Sequence, residues 1–252
     1  MTFRSIALLL GAAMLASCTK NGVQDITSAS PGAAVMFFNF GVNSPGVNFY
    51  ANDTKMTAIS STDSVESNNG TTYGSAGAGA NYASITPGTY TLSGRIADSV
   101  DKNLAISSVS TSLEDGKRYS FYQSGIYDTT AKTVDAFVVE DPLPAVDYTV
   151  AYVRFVNAIA NADPMTLYAT GDSSGVETAV GSEVAYKAAG DYTAVPQGFY
   201  NLATRTSGSS TDAITRTGVS FSAGHIYTVT ARGDITATSG SAVPKLDNTA
   251  NR

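Results

Sequence analysis

Residues 33–51 read AAVMFFNFGVNSPGVNFYA, and residues 151–169 read AYVRFVNAIANADPMTLYA. The two stretches align without a gap at an offset of 118 residues, which places Asn39 over Asn157. The other identities include Val35 with Val153, Phe37 with Phe155, Asn43 with Asn161, Tyr50 with Tyr168 and Ala51 with Ala169. A repeated segment of this length predicts that the chain contains two copies of one structural unit.

Two further blocks of identity follow in the same order. An offset of 110 residues aligns Gly88, Tyr90, Leu92 and Arg95 with Gly198, Tyr200, Leu202 and Arg205. An offset of 108 residues aligns Gly116, Tyr119 and Gly125 with Gly224, Tyr227 and Gly233. The shrinking offset indicates that the second copy has lost residues in loops, where length is free to vary. The Gly-rich stretch 70–80 is the nearest candidate for a loop that is shorter in the second copy, and it is predicted to be flexible.

The apolar pattern of the blocks has the period of β-strands. Residues 89–93 alternate hydroxyl with apolar side chains, and residues 226–230 place Tyr227 and Val229 on one face. Residues 35–40 are almost all apolar, which predicts a strand covered on both faces or facing a neighbouring domain. After residue 18, no window of about 12 residues keeps the 3.6-residue apolar period of a helix.

Turn signals and prolines divide the chain into short strands and two domains. The signals are Ser44-Pro45-Gly46, Pro87-Gly88, Glu114-Asp115-Gly116, Asp163-Pro164 and Ala223-Gly224. Pro142 and Pro144 end the first copy because neither can donate a ladder hydrogen bond. We therefore predict an all-β fold of two tandem immunoglobulin-like antiparallel β-sandwich domains, at 33–144 and 149–247, with about seven strands each. The last strand of the second domain has a weak signal in the sequence and is predicted to be an edge strand.

The composition excludes several classes of protein. Charged residues make up 14% of the chain, against about 25% in typical soluble proteins. Ser and Thr number 29 and 30, and Gly numbers 23. This mixture argues against a coiled coil, a helical bundle or a charged disordered tail. The net charge of −6 argues against a nucleic-acid partner, because that binding depends on clustered Lys and Arg.

The first 17 residues have the layout of a signal peptide. Arg4 precedes an apolar run at 6–15 that is too short to span a bilayer. The ending LASC at 15–18 resembles the lipobox of bacterial lipoproteins, in which a peptidase cuts before a diacylglyceryl-modified Cys. We predict a cleaved signal peptide at 1–17 and lipidation at Cys18. The alternatives, an ordinary secretory signal or a buried first strand, leave the single thiol of the chain without a role.

The residues after the cleavage site predict a tether and a location. Residues 18–32 are polar beyond Cys18 and end in Pro31 and Gly32, which favours a flexible tether over an irregular edge of the first domain. The predicted partner is the membrane, reached through the lipidated Cys18. Thr19 follows the Cys, and by resemblance to Gram-negative lipoproteins the absence of Asp there implies the outer membrane, on either face.

Four segments carry a family resemblance. They are AYVRFVNAIANADPMTLYATG at 151–171, TPGTYTLSGR at 86–95, LEDGKRYSFYQSG at 113–125 and AFVVEDP at 136–142. Together they resemble the domain of unknown function 4397 family, a bacterial exported module often found in lipoproteins. The resemblance covers both copies and implies an immunoglobulin-like sandwich outside the cytoplasm, with no catalytic residues to transfer. The copies differ at Met36, where the second copy has Arg154.

Few residues are available for chemistry. His225 is the only His, and its counterpart Lys117 follows a turn glycine, which favours a surface position over a catalytic triad. The 21 Asp and Glu residues leave open the carboxylate pair of a glycoside hydrolase, although most of them lie in turns. Loop calcium sites at Asp98 and Asp101, or at Glu114 and Asp115, are a further alternative. We predict no catalytic residues, no cofactor and no metal site.

Tyrosines are the remaining candidates for recognition, with 14 in the chain and no Trp. The repeat-matched Tyr90, Tyr119, Tyr200 and Tyr227 are predicted to pack in the core or across strands. The less constrained Tyr73, Tyr82 and Tyr122 are predicted on an exposed face.

The leading functional hypothesis is a lipid-anchored cell-envelope protein that presents two β-sandwich modules for binding or a structural role. One alternative is an adhesin or glycan-binding module, with an envelope protein or a glycan as partner. The other is a carboxylate-based glycoside hydrolase.

Overall fold

The computed structural model describes residues 32–57 and 67–252, and Gly32–Arg252 form one compact unit. Cys18, the predicted signal peptide and all of the predicted tether except Gly32 lie outside the described residues. The strands of the first copy are β1 (Ala33–Val42), β2 (Val47–Ala51), β3 (Thr54–Lys55), β4 (Ser75–Ala76), β5 (Ala83–Ile85), β6 (Gly88–Ile96), β7 (Ala105–Leu113), β8 (Arg118–Asp128) and β9 (Thr133–Glu140). Those of the second copy are β10 (Val150–Asn157), β11 (Met165–Gly171), β12 (Glu177–Val184), β13 (Thr193–Pro196), β14 (Gly198–Thr206), β15 (Ile214–Phe221), β16 (Ile226–Arg232) and β17 (Lys245–Ala250).

Each copy is a sandwich of two sheets. In the first copy the strand orders are β4-β1-β8-β9, with β5 also paired to β1, and β3-β2-β6-β7. In the second copy they are β13-β10-β16-β17 and β12-β11-β14-β15. We call the sheets that contain β1 and β10 the inner sheets, and those that contain β2 and β11 the outer sheets. The predicted all-β sandwich architecture is confirmed.

Two details depart from the pattern predicted by the sequence. In the inner sheets β1 pairs with β8 in parallel and β10 pairs with β16 in parallel, whereas the other strand pairs are antiparallel. Parallel neighbours need a long connection, which the outer sheet supplies here, and no local turn signal marks such a pair. Among the described residues the first copy has nine strands and the second has eight, against about seven predicted for each. The two-residue strands β3 and β4 of the first copy are too short to show a period in the sequence. The last strand, β17, is an edge strand, as predicted.

The alternation along β1 divides its side chains between two apolar layers. Val35 and Phe37 point into the first sandwich, where Phe37 stacks on Phe49 with ring centroids 5.2 Å apart. Met36, Phe38 and Phe40 point the other way and are also buried. Successive strand residues face opposite sides of a sheet, so both sides of this sheet are covered. The prediction for residues 35–40 is therefore confirmed.

The second sandwich has a core built in the same way. Val153 and Phe155 from β10 and Val229 from β16 are fully buried against Leu167 and Leu202 of the outer sheet. Burying a side chain of this size contributes about 1.5–3 kcal/mol relative to leaving it exposed. The matched strand positions of the repeat thus form equivalent cores.

The matched asparagines hold the turn that follows the first strand of each copy. The Asn39 side-chain oxygen accepts hydrogen bonds from the Gly41 N–H at 3.3 Å and from the Gln123 amide at 2.9 Å. The Asn157 oxygen accepts a bond from the Ile159 N–H at 3.0 Å. Both side chains are fully buried. A buried amide with these partners fixes the direction in which the chain leaves the strand.

The matched tyrosines stabilise turns at the ends of strands through hydrogen bonds of their hydroxyls. The Tyr90 hydroxyl donates to the Thr86 carbonyl at 2.9 Å, and Tyr200 donates to the Pro196 carbonyl at 2.7 Å. The backbone N–H groups of Glu114 and Ser222 donate to the hydroxyls of Tyr119 and Tyr227, at 3.1 and 3.2 Å. Tyr119 and Tyr227 are buried, which confirms their predicted packing role.

Candidate functional site

The two inner sheets pack face to face, so that the sheets stack in four layers. The contact is a third apolar cluster, separate from the two sandwich cores. The first copy contributes Met36, Phe38 and Tyr122, and the second contributes Val156 and Ala158. The side chains that alternate away from each core therefore meet between the copies, and we call this contact the intercopy interface.

Aromatic stacking organises the first copy's side of the intercopy interface. The Tyr122 ring stacks on Phe38 with centroids 4.7 Å apart and on Phe137 with centroids 5.0 Å apart. Tyr186 of the second copy meets the edge of Phe137 at 6.1 Å, and its hydroxyl lies 3.0 Å from the Ser124 hydroxyl. The second copy thus closes this aromatic layer.

The prediction that Tyr73, Tyr82 and Tyr122 lie on an exposed face is wrong. Tyr122 is fully buried, and Tyr73 and Tyr82 are half-buried. The reason is that these tyrosines lie on the face of the first copy that the second copy covers. Tyr73 lies under the Arg232 guanidinium at 4.9 Å, and Tyr82 accepts a bond from the Asn251 amide at 3.0 Å.

A buried ion pair lies at the centre of the intercopy interface. The Arg154 guanidinium of β10 pairs with the Asp141 carboxylate, and their side chains are 1% and 0% exposed. Arg154 also donates to the Glu140 carbonyl at 2.9 Å and to the Thr228 hydroxyl at 3.0 Å. Since Asp141 immediately follows β9, the pair joins the end of one copy to the middle of the other.

The remaining acceptor positions of Asp141 are also occupied. The hydroxyls of Tyr82 and Ser120 donate to its carboxylate at 2.7 and 2.8 Å. Burial lowers the pKa of Arg154, but the Asp141 carboxylate and the nearby Tyr192 and Tyr122 hydroxyls together raise that pKa overall. Burial, together with the nearby Asp141 carboxylate, raises the pKa of the Tyr82 hydroxyl. The centre therefore holds one cation, one anion and neutral tyrosine.

A second arginine reaches across the intercopy interface. Arg232 of β16 pairs with Asp247 of its own copy and lies over the rings of Phe40 and Tyr73 of the other copy, at 5.6 and 4.9 Å. Cations bind the faces of aromatic rings, most strongly when water is excluded. Arg232 is 8% exposed, so this contact is largely desolvated.

The Gly-rich stretch 70–80 is not the flexible loop that the sequence predicted. Its strand β4 pairs with β1, and a short 3₁₀ helix follows at Gly77–Gly79. Gly74 has a φ of +79°, and a Cβ atom there would lie 2.9 Å from the Arg232 guanidinium carbon. Glycine is favoured here because other residues are strained at this φ, and a Cβ atom would also displace the guanidinium.

The second sandwich has an apolar cavity at its open edge, between β12 and β13. Its volume is about 200 Å³, and its lining includes Val176, Val180, Val195 and Tyr200. None of the described residues that line it is charged. Such a cavity suits an apolar group rather than a charged ligand.

The corresponding edge of the first sandwich holds larger side chains. The backbone pairing places Met56 and Ile85 where the second copy has Val180 and Val195. Met56 and Ile85 pack against the first core. The smaller valines leave more room at this edge of the second copy.

Comparison with known proteins identifies a family and little else. The family model for a domain of unknown function, DUF4397, matches residues 33–168 and 151–252. The chain belongs to the DUF4397 family. No curated protein matches this DUF4397 chain.

One solved structure that the DUF4397 chain resembles is a leucine-rich repeat protein from Bacteroides thetaiotaomicron. The identity is 13%, the TM-score is 0.23, and the alignment covers 84% of this chain and 27% of the other. A likeness this weak carries no argument about function.

The two DUF4397 copies use the same face with different chemistry. The first copy has Met36 and Tyr122 where the second has Arg154 and Thr230. One face is therefore mostly aromatic and the other carries arginines and hydroxyls. Two faces of the second kind would bring Arg154 and Arg232 against like charges, which would destabilise their contact. The difference favours pairing of unlike copies.

The polar residues that the sequence singled out do not converge. His225 is exposed and bonds the Ala223 carbonyl at 3.1 Å, close to its own turn. Asp98 accepts bonds from Ser99, whereas Asp101 pairs with Lys132 at 2.6 Å. In residues 32–57 and 67–252, no group of three or more His, Cys, Asp or Glu side chains is arranged to hold a metal ion.

The carboxylates of the second proposed calcium loop also bond to other groups of the protein. Glu114 pairs with Lys117 at 3.1 Å, and Asp115 accepts a bond from the Gly32 N–H at 2.7 Å. Bonds from nearby backbone and side-chain groups likewise lower the pKa values of the turn residues Asp128, Asp147 and Asp234. These carboxylates organise turns, which is the role that turn positions favour for Asp.

Sequence reasoning missed the Arg154–Asp141 pair. One signal was present, because an arginine inside an apolar strand needs a buried partner. The partner was hidden in the connection between the copies, where Asp141 precedes Pro142.

Across the described part of the chain, no helix has the length and hydrophobicity needed to cross a membrane.

Proposed function

We propose that this chain is a lipid-anchored protein of the cell envelope, held at the outer membrane, whose two sandwiches act together as one non-catalytic body for binding or a structural role. The intercopy interface is the observation that supports one body rather than two independent modules. A contact that buries Tyr122 and a fully bonded Arg154–Asp141 pair is built like a protein core. Two independent modules on a flexible linker would not need it.

The anchoring part of the proposal rests on the sequence. A short apolar segment ends in LASC at 15–18, and Cys18 is the single Cys of the chain. Lipidation gives that thiol a role, and two acyl chains hold a protein stably on a membrane where one does not.

The non-catalytic part rests on what the described residues do. The buried charges at the intercopy interface are satisfied by one another, and the exposed carboxylates of the turns bond their own loops. The apolar cavity between β12 and β13 offers no charged group for acid–base chemistry. A hydrolase activity that disappears on substitution of one Asp or Glu would overturn this part.

Glycan binding is the alternative within the same class. The apolar lining of the β12–β13 cavity does not favour it, because sugars need many hydrogen-bonding groups. A glycan array probed with the purified protein tests this alternative directly. A pull-down from the cell envelope tests for a protein partner, with the Asp141→Asn chain as the comparison.

Cys18→Ala tests the anchor. We expect the substituted protein to leave the membrane fraction and appear in the soluble fraction, because the site of acyl attachment is gone. Ser17→Ala is the matched control, since it keeps the small residue before the Cys and should leave the distribution unchanged. Membrane retention of the Cys18→Ala protein would contradict lipid anchoring.

A further inference from the structure

The strand directions place the same end of both copies together. β1 and β8 begin beside each other, since Ala34 pairs with Arg118, and β9 ends at Glu140 opposite Tyr119. From there the chain needs only residues 141–149 to reach the start of β10. We call this the tether end, because the chain enters the first copy here at Gly32.

The tether end of the second copy carries exposed apolar side chains. Tyr148 lies against Gly224 in the turn before β16 and is 84% exposed. Phe199, at the start of β14, is 63% exposed, and Val176, just before β12, is 62% exposed. The N–H groups of Gly171 and Asp172 donate to the carbonyls of Val176 and Phe199, which places both beside the end of β11.

The apolar cavity belongs to the same region. Val176 contributes to its lining together with Pro196 and Tyr200, which lie within three residues of Phe199 in the sequence. Exposed apolar side chains around an apolar opening are typical of surfaces that contact lipid or protein.

Charges at the tether end are mixed in sign. Lys117, Arg118 and Arg252 lie there, as do Glu114, Asp115, Glu140, Asp147 and Asp172. Acidic residues outnumber basic ones, so electrostatic attraction to an anionic surface does not select the partner. The apolar side chains must supply the contact.

We propose that the tether end of the second copy rests on the membrane surface, with Tyr148, Val176 and Phe199 in the interfacial layer of the bilayer. This inference rests on the proposed lipid anchor at Cys18. A flexible tether of the predicted length reaches only about 20 Å, which keeps the end at Gly32 near the membrane. Aromatic and apolar side chains at that depth are stabilised in the interface between water and lipid.

The opposite end of the first copy provides an internal control. Val100 lies in the connection between β6 and β7 and is 71% exposed. Its exposed fraction is similar to that of Phe199, but it lies at the end of the strands away from Gly32. If the tether end of the second copy rests on the membrane, Phe199 contacts lipid and Val100 does not.

The chain contains no Trp, so a single introduced Trp reports on one position. The lipidated full-length protein is purified as Phe199→Trp, as Tyr148→Trp and as Val100→Trp, and each is reconstituted into phosphatidylcholine vesicles with or without brominated acyl chains. We expect brominated lipid to lower the emission of the Phe199→Trp and Tyr148→Trp proteins about twofold, and to leave the Val100→Trp protein unchanged.

The outcomes separate the two proposals. Co-flotation of all three proteins with the vesicles, without quenching at 199 or 148, would overturn the membrane-facing end and leave the anchor intact. Equal quenching at 100 and 199 would overturn it as well. Failure of the proteins to float with the vesicles would overturn the anchor, and with it this inference.

Discussion

Replacing Asp141 by Asn is expected to lower the free energy of unfolding by about 3–5 kcal/mol. The substitution keeps the shape of the side chain but removes the charge that balances Arg154. The Arg154 guanidinium is 1% exposed, so water cannot take over that role in the folded state. Chemical denaturation followed by circular dichroism measures the loss.

An exposed pair supplies the control for Asp141. Lys132 and Asp101 lie 2.6 Å apart, but their side chains are 45% and 36% exposed. Solvent screens such a pair, so Asp101→Asn is expected to change stability by no more than about 1 kcal/mol. Equal effects of the two substitutions would show that the buried pair does not support the intercopy interface.

A second substitution tests whether the effect of Asp141 comes from the unpaired charge. Arg154→Met places in the second copy the residue that the first copy has at Met36. The double substitution with Asp141→Asn leaves no uncompensated charge at this site. We expect it to cost less than the sum of the two single changes.

Replacing Tyr122 by Ala is expected to lower the free energy of unfolding by about 3–5 kcal/mol, as for other large buried aromatic residues. The ring fills the space between Phe38 and Phe137 and lies under the second copy. Truncation leaves a cavity at the intercopy interface rather than in either sandwich core. The loss is measured by the same denaturation experiment.

Two further substitutions make the Tyr122 result specific. Tyr122→Phe keeps the stacked ring and is expected to stay within about 1 kcal/mol of the natural chain. Tyr148→Ala removes a tyrosine that is 84% exposed and should change stability by about 0.5 kcal/mol or less. A Tyr122→Ala protein as stable as the Tyr148→Ala protein would contradict the description of the interface.

The fold was predictable because its signals are local and occur twice. The alternation in β6 and β16 follows from side chains pointing to opposite faces, and the continuous apolar run in β1 follows from burial on both faces. Glycines and prolines marked the ends of strands. Pairing of β1 with β8 was not predictable in this way, because it joins segments about 80 residues apart with no shared turn.

The candidate site was less predictable because it depends on how two copies meet. The sequence around Tyr122 predicts the same strand whether that face of the sheet meets water or a second sandwich. The sequence could therefore not reveal that Tyr122 is buried. Arg154 and Asp141 are partners only because β9 ends beside the middle of β10. The chemical roles of these residues follow from tertiary contact, whereas the role of Cys18 is proposed from a local motif.

The claim that the two copies form one body is tested most directly by a distance between them. Ser112 of β7 and Ser220 of β15 are exposed on the two outer sheets, and Cys at both positions in a Cys18→Ala background gives two thiols for spin labels. A four-layer stack predicts one narrow distribution of distances in a pulsed electron paramagnetic resonance measurement. A broad distribution, as from two sandwiches on a flexible linker, would contradict the account.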